Sequence, residues 1–367
     1  MKNIAYCGLD CQKCPAYIAT KTNDQELREK VAREWSLLNH VEITPEMINC
    51  DGCRENGRKT PFCDSLCPIR QCALKKDILA CGSCGGLSSC GKIKMITEHS
   101  PEACEILKRN AKPCLKILFI GNSFSDDTIQ WMPDIAEALG IQIKVENLYI
   151  GGCSLETHLE NIQEEKPAYE WIHYEKGEWI RTPDAKMKDI IEGEDWDYVL
   201  FQQASHYSGK GETYRFLPEL LQRVEGCLKD KNHSRFAWNM TWAYQKDSDH
   251  PNFPDYDRDQ TKMYRSICSA VQSEVLPLNR FALILPIGTA IQNARTSSLG
   301  DTLTRDGFHL SYQLGRYIAG LTAIASLTGA DIASCGFMAA GEKETEIAKE
   351  SVKNALKNPF AITPFAL

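Results

Sequence analysis

Leu115-Lys116-Ile117-Leu118-Phe119-Ile120-Gly121-Asn122-Ser123-Phe124-Ser125-Asp126-Asp127 joins two kinds of local structure with no spacer between them. The first six residues are an apolar, β-forming run, while the serines and aspartates that follow are typical of a helix start. A strand that passes directly into a helix puts Ser123 at the carboxyl end of that strand. Ligands of open α/β sheets bind at this edge. Ser123 or Ser125 could equally serve as the helix N-cap, a role for which serine before aspartate is well suited.

Downstream, β-type runs alternate with helical periodicity. Strands are expected near 116–120, 141–150, 197–203, 235–242 and 280–286, with helices near 127–139, 184–192, 214–229, 259–275, 311–328 and 343–357. Such alternation implies a mainly parallel sheet covered on both faces, a three-layer α/β/α domain. One stretch departs from it: residues 169–181 read as two alternating runs about Lys176-Gly177, a surface hairpin inserted between parallel units that either walls a site or decorates the surface.

Upstream, the composition changes. Of 17 cysteines, 13 lie at or before Cys114, and residues 1–114 carry 17 Lys+Arg against 14 Asp+Glu, so the net charge of -7 divides into +3 and -10. Two domains follow: a cysteine-rich, helical and loop-rich one over residues 1–112 and an α/β one over 113–367, with Lys108–Pro113 as linker. The acidic balance of the larger domain argues against nucleic-acid binding. The opening residues have no signal-type apolar core and no later run is long and uncharged enough to span a membrane, so a soluble, cytoplasmic protein is expected. In a reducing compartment this cysteine density points to metal ligation rather than disulfides.

The larger domain contains a second chemical block, Arg305-Asp306-Gly307-Phe308-His309-Leu310-Ser311, just before the last long helices. A serine hydroxyl becomes an effective nucleophile when an imidazole takes its proton, and that imidazole needs a carboxylate to orient it. Asp306, His309 and Ser123 have these three roles available. Asn239, His158 and His206 lie near the same loops but are more simply structural, and the acidic stretch 247–257 reads as a solvated loop or a polar rim.

Gly121-Asn122-Ser123-Phe124-Ser125, Ile150-Gly151-Gly152-Cys153-Ser154 and Asp306-Gly307-Phe308-His309 resemble, in order and spacing, the blocks of SGNH/GDSL hydrolases. More narrowly, residues 115–360 resemble an uncharacterised bacterial SGNH-like family related to carbohydrate and acyl esterases. The resemblance implies a flavodoxin-like α/β/α fold and a serine esterase or deacylase acting on a small acyl ester, carbohydrate esters included, without a cofactor for the hydrolysis. It implies a triad of Ser123, Asp306 and His309. It also implies an oxyanion hole made by the Ser123 amide, Gly152 (with Gly151 as the alternative) and a third-block asparagine. Here that block reads Gln202-Gln203-Ala204-Ser205, so Gln203, or less directly Gln202, takes the asparagine's place. A non-catalytic ligand-binding protein with a hydrolase fold is the alternative that this substitution raises.

In the amino-terminal domain, Cys50-x2-Cys53 and Cys63-x3-Cys67 form the most regular quartet. Cys7, Cys11, Cys14, Cys72, Cys81, Cys84 and Cys90 form a second pool. Short thiolate hooks of this kind suit zinc, and Cys7-x3-Cys11-x2-Cys14-Pro15 is also a spacing used for iron–sulfur clusters. Tyr6–Tyr17 and Asn49–Cys53 resemble a small prokaryotic cysteine-rich family thought to bind zinc, which implies a structural or regulatory zinc module, with an iron–sulfur redox module as the alternative. The helix expected over Asp24–Asn39 would pack a core through Val31, Trp35 and Leu38. The sequence carries no sign of oligomeric state.

Overall fold

The computed structural model describes residues 3–365 except 77, 79, 85, 86, 88, 89, 110–113 and 176. The chain divides into two compact units, residues 1–113 and 114–367.

The smaller unit consists of short helices: α1 (Pro15–Thr22), α2 (Gln25–Asn39), α3 (Pro68–Lys75), α4 (Gly91–Thr97) and α5 (Pro101–Arg109). Asn23 closes α1 in a left-handed conformation, and the Asp24 carboxylate caps α2 by accepting the Leu27 amide at 2.9 Å. Val31 and Ala32 of α2 bury against Ala16, Ile48 and Cys50, with Trp35 partly covered. Leu38 is exposed, contrary to the expected stripe. Helix α1 has eight residues and α2 has fifteen, so the last turns of α2 run beyond the helix they pack on. A second small core gathers Cys7, Cys11, Ile69, Ile93 and Leu107. Lys108 and Arg109 end α5 instead of starting a linker, and 110–113 lie outside the described residues.

The larger unit is built on a seven-stranded sheet of order β4-β3-β2-β1-β5-β6-β7. Its elements run β1 (Cys114–Gly121), α6 (Ser123–Ile129), α7 (Met132–Ala138), β2 (Gln142–Tyr149), α8 (Leu155–Gln163), β3 (Tyr169–Glu175), β4 (Glu178–Ala185), α9 (Met187–Gly193) and β5 (Tyr198–Phe201). They continue with α10 (Leu217–Cys227), β6 (Arg235–Asn239), α11 (Gln260–Ala270), β7 (Phe281–Leu285), α12 (Ile287–Arg295), α13 (Leu314–Thr328) and α14 (Glu342–Lys357). Strands β2, β1, β5, β6 and β7 pair in parallel, and counted among themselves they have the 2-1-3-4-5 order of flavodoxin-like sheets. Helices α6, α7, α12, α13 and α14 pack with one another, and α8, α9 and α10 form a separate group. Ile117–Gly121 and all of β5 are buried, as expected of central strands covered on both faces.

Two sequence expectations change. The hairpin 169–181 is no insertion on the surface: β3 pairs antiparallel with β2 and β4 with β3, so it extends the main sheet. The helix expected over 127–139 is two helices, because Pro133 sits in the first turn of α7 and restarts the helix there. Among the described residues, no helix is long and apolar enough to cross a membrane.

At the amino-terminal end of the strands one carboxylate ties three elements. Glu194, just after α9, receives Lys116 of β1 and Lys144 of β2, each at 2.9 Å. Burial raises its pKa, but the Lys144, Asp195 amide and Lys116 hydrogen bonds outweigh this and lower it from 4.5 to about 2. Because the folded carboxyl titrates below its unfolded value, its stabilising effect is complete above about pH 4.5 and disappears as the pH falls towards 2. Glu194→Gln is therefore expected to cost roughly 2 kcal/mol at pH 7 in urea unfolding, the gap from wild type closing progressively below pH 4.

Candidate active site

Gly121 ends β1 at a place where a side chain would not fit: a Cβ there would stand 2.4 Å from Ser125 Oγ. The close approach lets the chain turn at once into α6. Asn122 is the N-cap, its Oδ1 accepting the Phe124 amide at 3.0 Å. Ser125 donates to the Asn122 carbonyl (2.7 Å) and to Asn147 Oδ1 (2.9 Å). Neither serine is the cap, and Ser123, half-buried in the first turn, keeps a hydroxyl with no hydrogen-bond partner among the described residues.

Buried amides join the loops at the carboxyl edge. Asn239 at the end of β6 donates to Gln202 Oε1 at 2.6 Å, Gln202 just after β5 donates to Asn122 Oδ1 at 2.7 Å, and Asn122 donates to the Cys153 carbonyl at 3.0 Å. Four parallel strands are thus laced together directly beneath Ser123. Gln202 and Asn239 are the links between strands.

The Asp306–His309 loop is anchored from the same helix that carries Ser123. Asp127, one turn beyond Ser123 and wholly buried, accepts Arg305 Nη1 at 2.9 Å, Arg316 Nε at 2.8 Å and the Leu310 amide at 2.8 Å. These three partners bracket Asp306 and His309. The loop's shape also depends on Gly307, whose φ is +87° and whose missing Cβ would lie 2.9 Å from Ser248 Oγ. Trp242 Nε1 donates to the Phe308 carbonyl at 2.7 Å and stacks on Phe124 with centroids 4.1 Å apart. The Phe124 and His309 rings are 6.0 Å apart, so the imidazole sits against the residue next to Ser123.

Asp306 grips His309 twice. Its Oδ1 accepts the His309 amide at 2.7 Å, and its Oδ2 lies 2.6 Å from Nδ1. With Nδ1 donating to the carboxylate, Nε2 is the nitrogen left to accept a proton. Burial raises the Asp306 pKa, but hydrogen bonds from the His309 ring and from the His309 and Phe308 amides hold it below the ordinary carboxylate value.

The side-chain amide of Gln203, expected as the third oxyanion donor, is engaged elsewhere in the structure. Gln203 Oε1 accepts the Leu155 and Ala204 amides at 3.1 and 2.8 Å, which fixes the amide's orientation and points Nε2 to the carbonyl and hydroxyl of Thr213, 3.2 and 3.0 Å away. The extra methylene that distinguishes glutamine from asparagine carries its donor past the site and into the Tyr207–Thr213 loop. Gly152, exposed with φ at +65°, and Ser123 have backbone amides with no partner among the described residues. Gly151 precedes Gly152 and is likewise exposed.

His158 is not a site residue. It is fully buried, with Nδ1 2.9 Å from Tyr169 Oη and 3.5 Å from Cys153 Sγ, and burial lowers its pKa to about 3. His206 and His250 stand 6.4 Å apart, and His250 packs on Phe308 at 4.8 Å, forming a histidine-bearing rim beside His309. Burial first, then proximity to the other histidines, lowers both pKa values. On the other flank Arg181 of β4 binds both Asp126 oxygens at 2.8 Å and Glu170 at 2.6 Å, so the sheet's edge hairpin braces the first turn of α6. Asp127 and Arg181 were missed in the sequence; an aspartate four residues after a serine gives no signal until its arginine partners are seen.

The cysteines of the smaller unit are all free thiols. Among the described residues, no group of three or more His, Cys, Asp or Glu side chains is placed to hold a metal ion. Of the regular quartet, Cys50 belongs to the α1–α2 core and Cys53 and Cys67 border the Ile69–Leu107 core, while Cys63 lies close enough to Cys50 and Cys67 for their charges to help raise its pKa, after burial. Gly52, at φ +118°, turns the chain between Cys50 and Cys53. Of the second pool, Cys7 and Cys11 share the Ile69–Leu107 core, Cys14 borders the α1–α2 core, and Cys72, Cys81, Cys84 and Cys90 line a cavity walled in part by Ile69 and Ile93 of that first core.

A model of the family described as Domain of unknown function (DUF4886) matches residues 116–355, and one described as Protein of unknown function (DUF3795) matches residues 3–95. A crystal structure of a DUF4886 family protein from Bacteroides uniformis ATCC 8492 is 37% identical, covers 69% of this chain and 98% of its own, and has a TM-score of 0.65. Axe2, an acetylxylan esterase from Geobacillus stearothermophilus, is 14% identical over 62% of this chain and 97% of its own, with a TM-score of 0.38. Among curated proteins no match is found. The chain belongs to the DUF4886 family.

Removing the Asp127 carboxylate would leave Arg305 and Arg316 without their shared anion. Asp127→Ala is expected to lose about 3–5 kcal/mol of unfolding free energy, measured by denaturant titration.

Proposed function

We propose that the larger unit is a serine esterase or deacylase, with Ser123 as nucleophile, His309 as general base and acid, and Asp306 as the group that orients His309. The observation that carries this is Asp127: a buried carboxylate on the serine's own helix fastens the loop that holds an Asp–His couple. A buried ion cluster linking a helix start to a loop far away in sequence is costly to assemble, and it supports a reading in which that loop serves the start of α6, where the His309 ring lies 6.0 Å from that of Phe124.

In this reading an ester carbonyl lies over the amino-terminal turn of α6. Ser123 Oγ attacks the carbonyl carbon as His309 Nε2 takes the hydroxyl proton, and Asp306 stabilises the resulting imidazolium without itself becoming protonated. The developing oxyanion is received by the Ser123 amide at the start of α6 and the Gly152 amide in the loop after β2, neither of which has a partner among the described residues. Collapse releases the alcohol with the proton from His309 and leaves an acyl-serine. Water, deprotonated by the same nitrogen, then releases the carboxylic acid and restores the serine. The rim of half-buried His206 and His250 and exposed Asp306 is polar and suits a hydroxylated alcohol better than a long acyl chain. A small acyl ester of a carbohydrate is therefore the substrate class we infer.

The test is hydrolysis of a panel of short-chain aryl and sugar acetates. Wild type is expected to turn over at least one of them, with Ser123→Ala at background and unlabelled by a fluorophosphonate, and Asp306→Asn reduced about 10³–10⁴-fold in kcat. Wild-type protein that neither hydrolyses the panel nor takes the label would overturn the esterase in favour of a ligand-binding domain. A separate measurement bears on the oxyanion hole. Because the Gln203 amide is committed to Thr213, Gln203→Ala is expected to lower stability by about 1–3 kcal/mol while kcat of the folded enzyme stays within tenfold of wild type.

A further inference from the structure

Four of the eleven amino-terminal cysteines that form short hooks are set apart by their surroundings. Cys72 on α3, Cys81 and Cys84 at the ends of one tight turn, and Cys90 immediately before α4 line a single cavity. The rest of its wall is hydrocarbon, Ile69, Ala73 and Ile93 among it, apart from Lys92. Of these thiols only Cys84 has a side-chain hydrogen bond among the described residues, from Lys76 Nζ at 3.9 Å, and the hydrophobic demand of this core would be met as well by alanine or valine.

The arrangement does not suit a single ion. Tetrahedral zinc at about 2.3 Å from each sulfur draws the four sulfurs to about 3.8 Å from one another, around one point. No three ligand side chains of the described residues are placed in that way. A cluster makes a different demand. Each thiolate binds its own iron, so the sulfurs stand around the perimeter of a cavity that the iron–sulfide core fills.

We propose that Cys72, Cys81, Cys84 and Cys90 ligate an iron–sulfur cluster of the cubane type. Charge favours the assignment. Four thiols lose their protons to solvent on binding, and four thiolates around a core of charge about +2 leave a net charge of about -2. Two cations stand at the site to offset it: Lys76, with Nζ 3.9 Å from Cys84 Sγ, and Lys92 in the cavity wall. The apolar lining keeps water from the sulfides. Assembly takes two ferrous ions, two ferric ions and four sulfides from solution, which gives the core its charge of about +2 with no electron transfer to or from the protein.

The experiment is anaerobic purification of the full chain from iron-supplemented cells, followed by reconstitution with a mixture of ferrous and ferric iron and sulfide. The expected product is brown, with about four iron and four acid-labile sulfide per chain. Cys81→Ser and Cys84→Ser should each lose most of the visible absorbance, while Cys14→Ser, outside the cavity, keeps it. Cys90→Ser supplies a further test should either variant fail to fold, and far-ultraviolet circular dichroism identifies such a failure. Colourless protein with one zinc ion per chain, protein that takes up neither metal, or a cluster that survives loss of the cavity cysteines would each overturn the proposal. None of these outcomes bears on Ser123, so the result stands apart from the esterase assays.

Discussion

A carboxylate shut away from water must be compensated, and the larger unit is arranged around one that is. Asp127 has no exposure, and its compensation comes from two arginines and an amide contributed by a region 178 to 189 residues later in the chain. The attraction is strong because solvent does not screen it, and the cost of leaving any partner out is high for the same reason. Placed on the helix that begins with Ser123, this cluster sets where residues 305–310 lie. The position of His309 is thus settled by an electrostatic requirement one helical turn from the serine.

The amides of Asn239, Gln202 and Asn122 do comparable work with neutral groups. Each spends a donor on the next strand's loop, so the carboxyl edge of β6, β5, β1 and β2 moves as one piece. Their order explains why Gln202 belongs to the scaffold. Its neighbour Gln203 turns away from the site because two backbone amides converge on its carbonyl oxygen. Two adjacent glutamines with the same chemistry are sorted entirely by which backbone groups lie within reach.

Much of this was legible in the sequence, and the parts that were not have physical reasons. The five parallel strands carry continuous apolar runs because both faces are covered, and such runs are easily seen. Helix α12 was not, because it is only nine residues long and all nine are buried, Gln292, Asn293 and Arg295 included, so its polar residues do not mark a solvent face. Helix α8 escaped because His158 and Asn161 sit on its buried side among the leucines. The hairpin 169–181 was recognised as a hairpin, but whether it stands free or pairs with β2 depends on a register that alternation alone does not specify. The blocks around Ser123 and His309 were visible as motifs. The polar groups that hold them together were not, since Asp127, Arg181 and Arg316 gain meaning only as partners.

The distance along the chain between Asp127 and its arginines has a consequence for the protein during its own synthesis. Residues 114–129 leave the ribosome with a carboxylate that the finished core will bury, while Arg305 is still 178 positions from that aspartate. At roughly 5–20 residues per second, the interval lasts on the order of ten to forty seconds. Throughout it, α6 cannot sink into a closed core without stranding an anion, so the nascent sheet is kept open at the edge where Ser123 lies. The same charge that locks the finished site thus has no arginine partner until the region from Arg305 to Arg316 has been made.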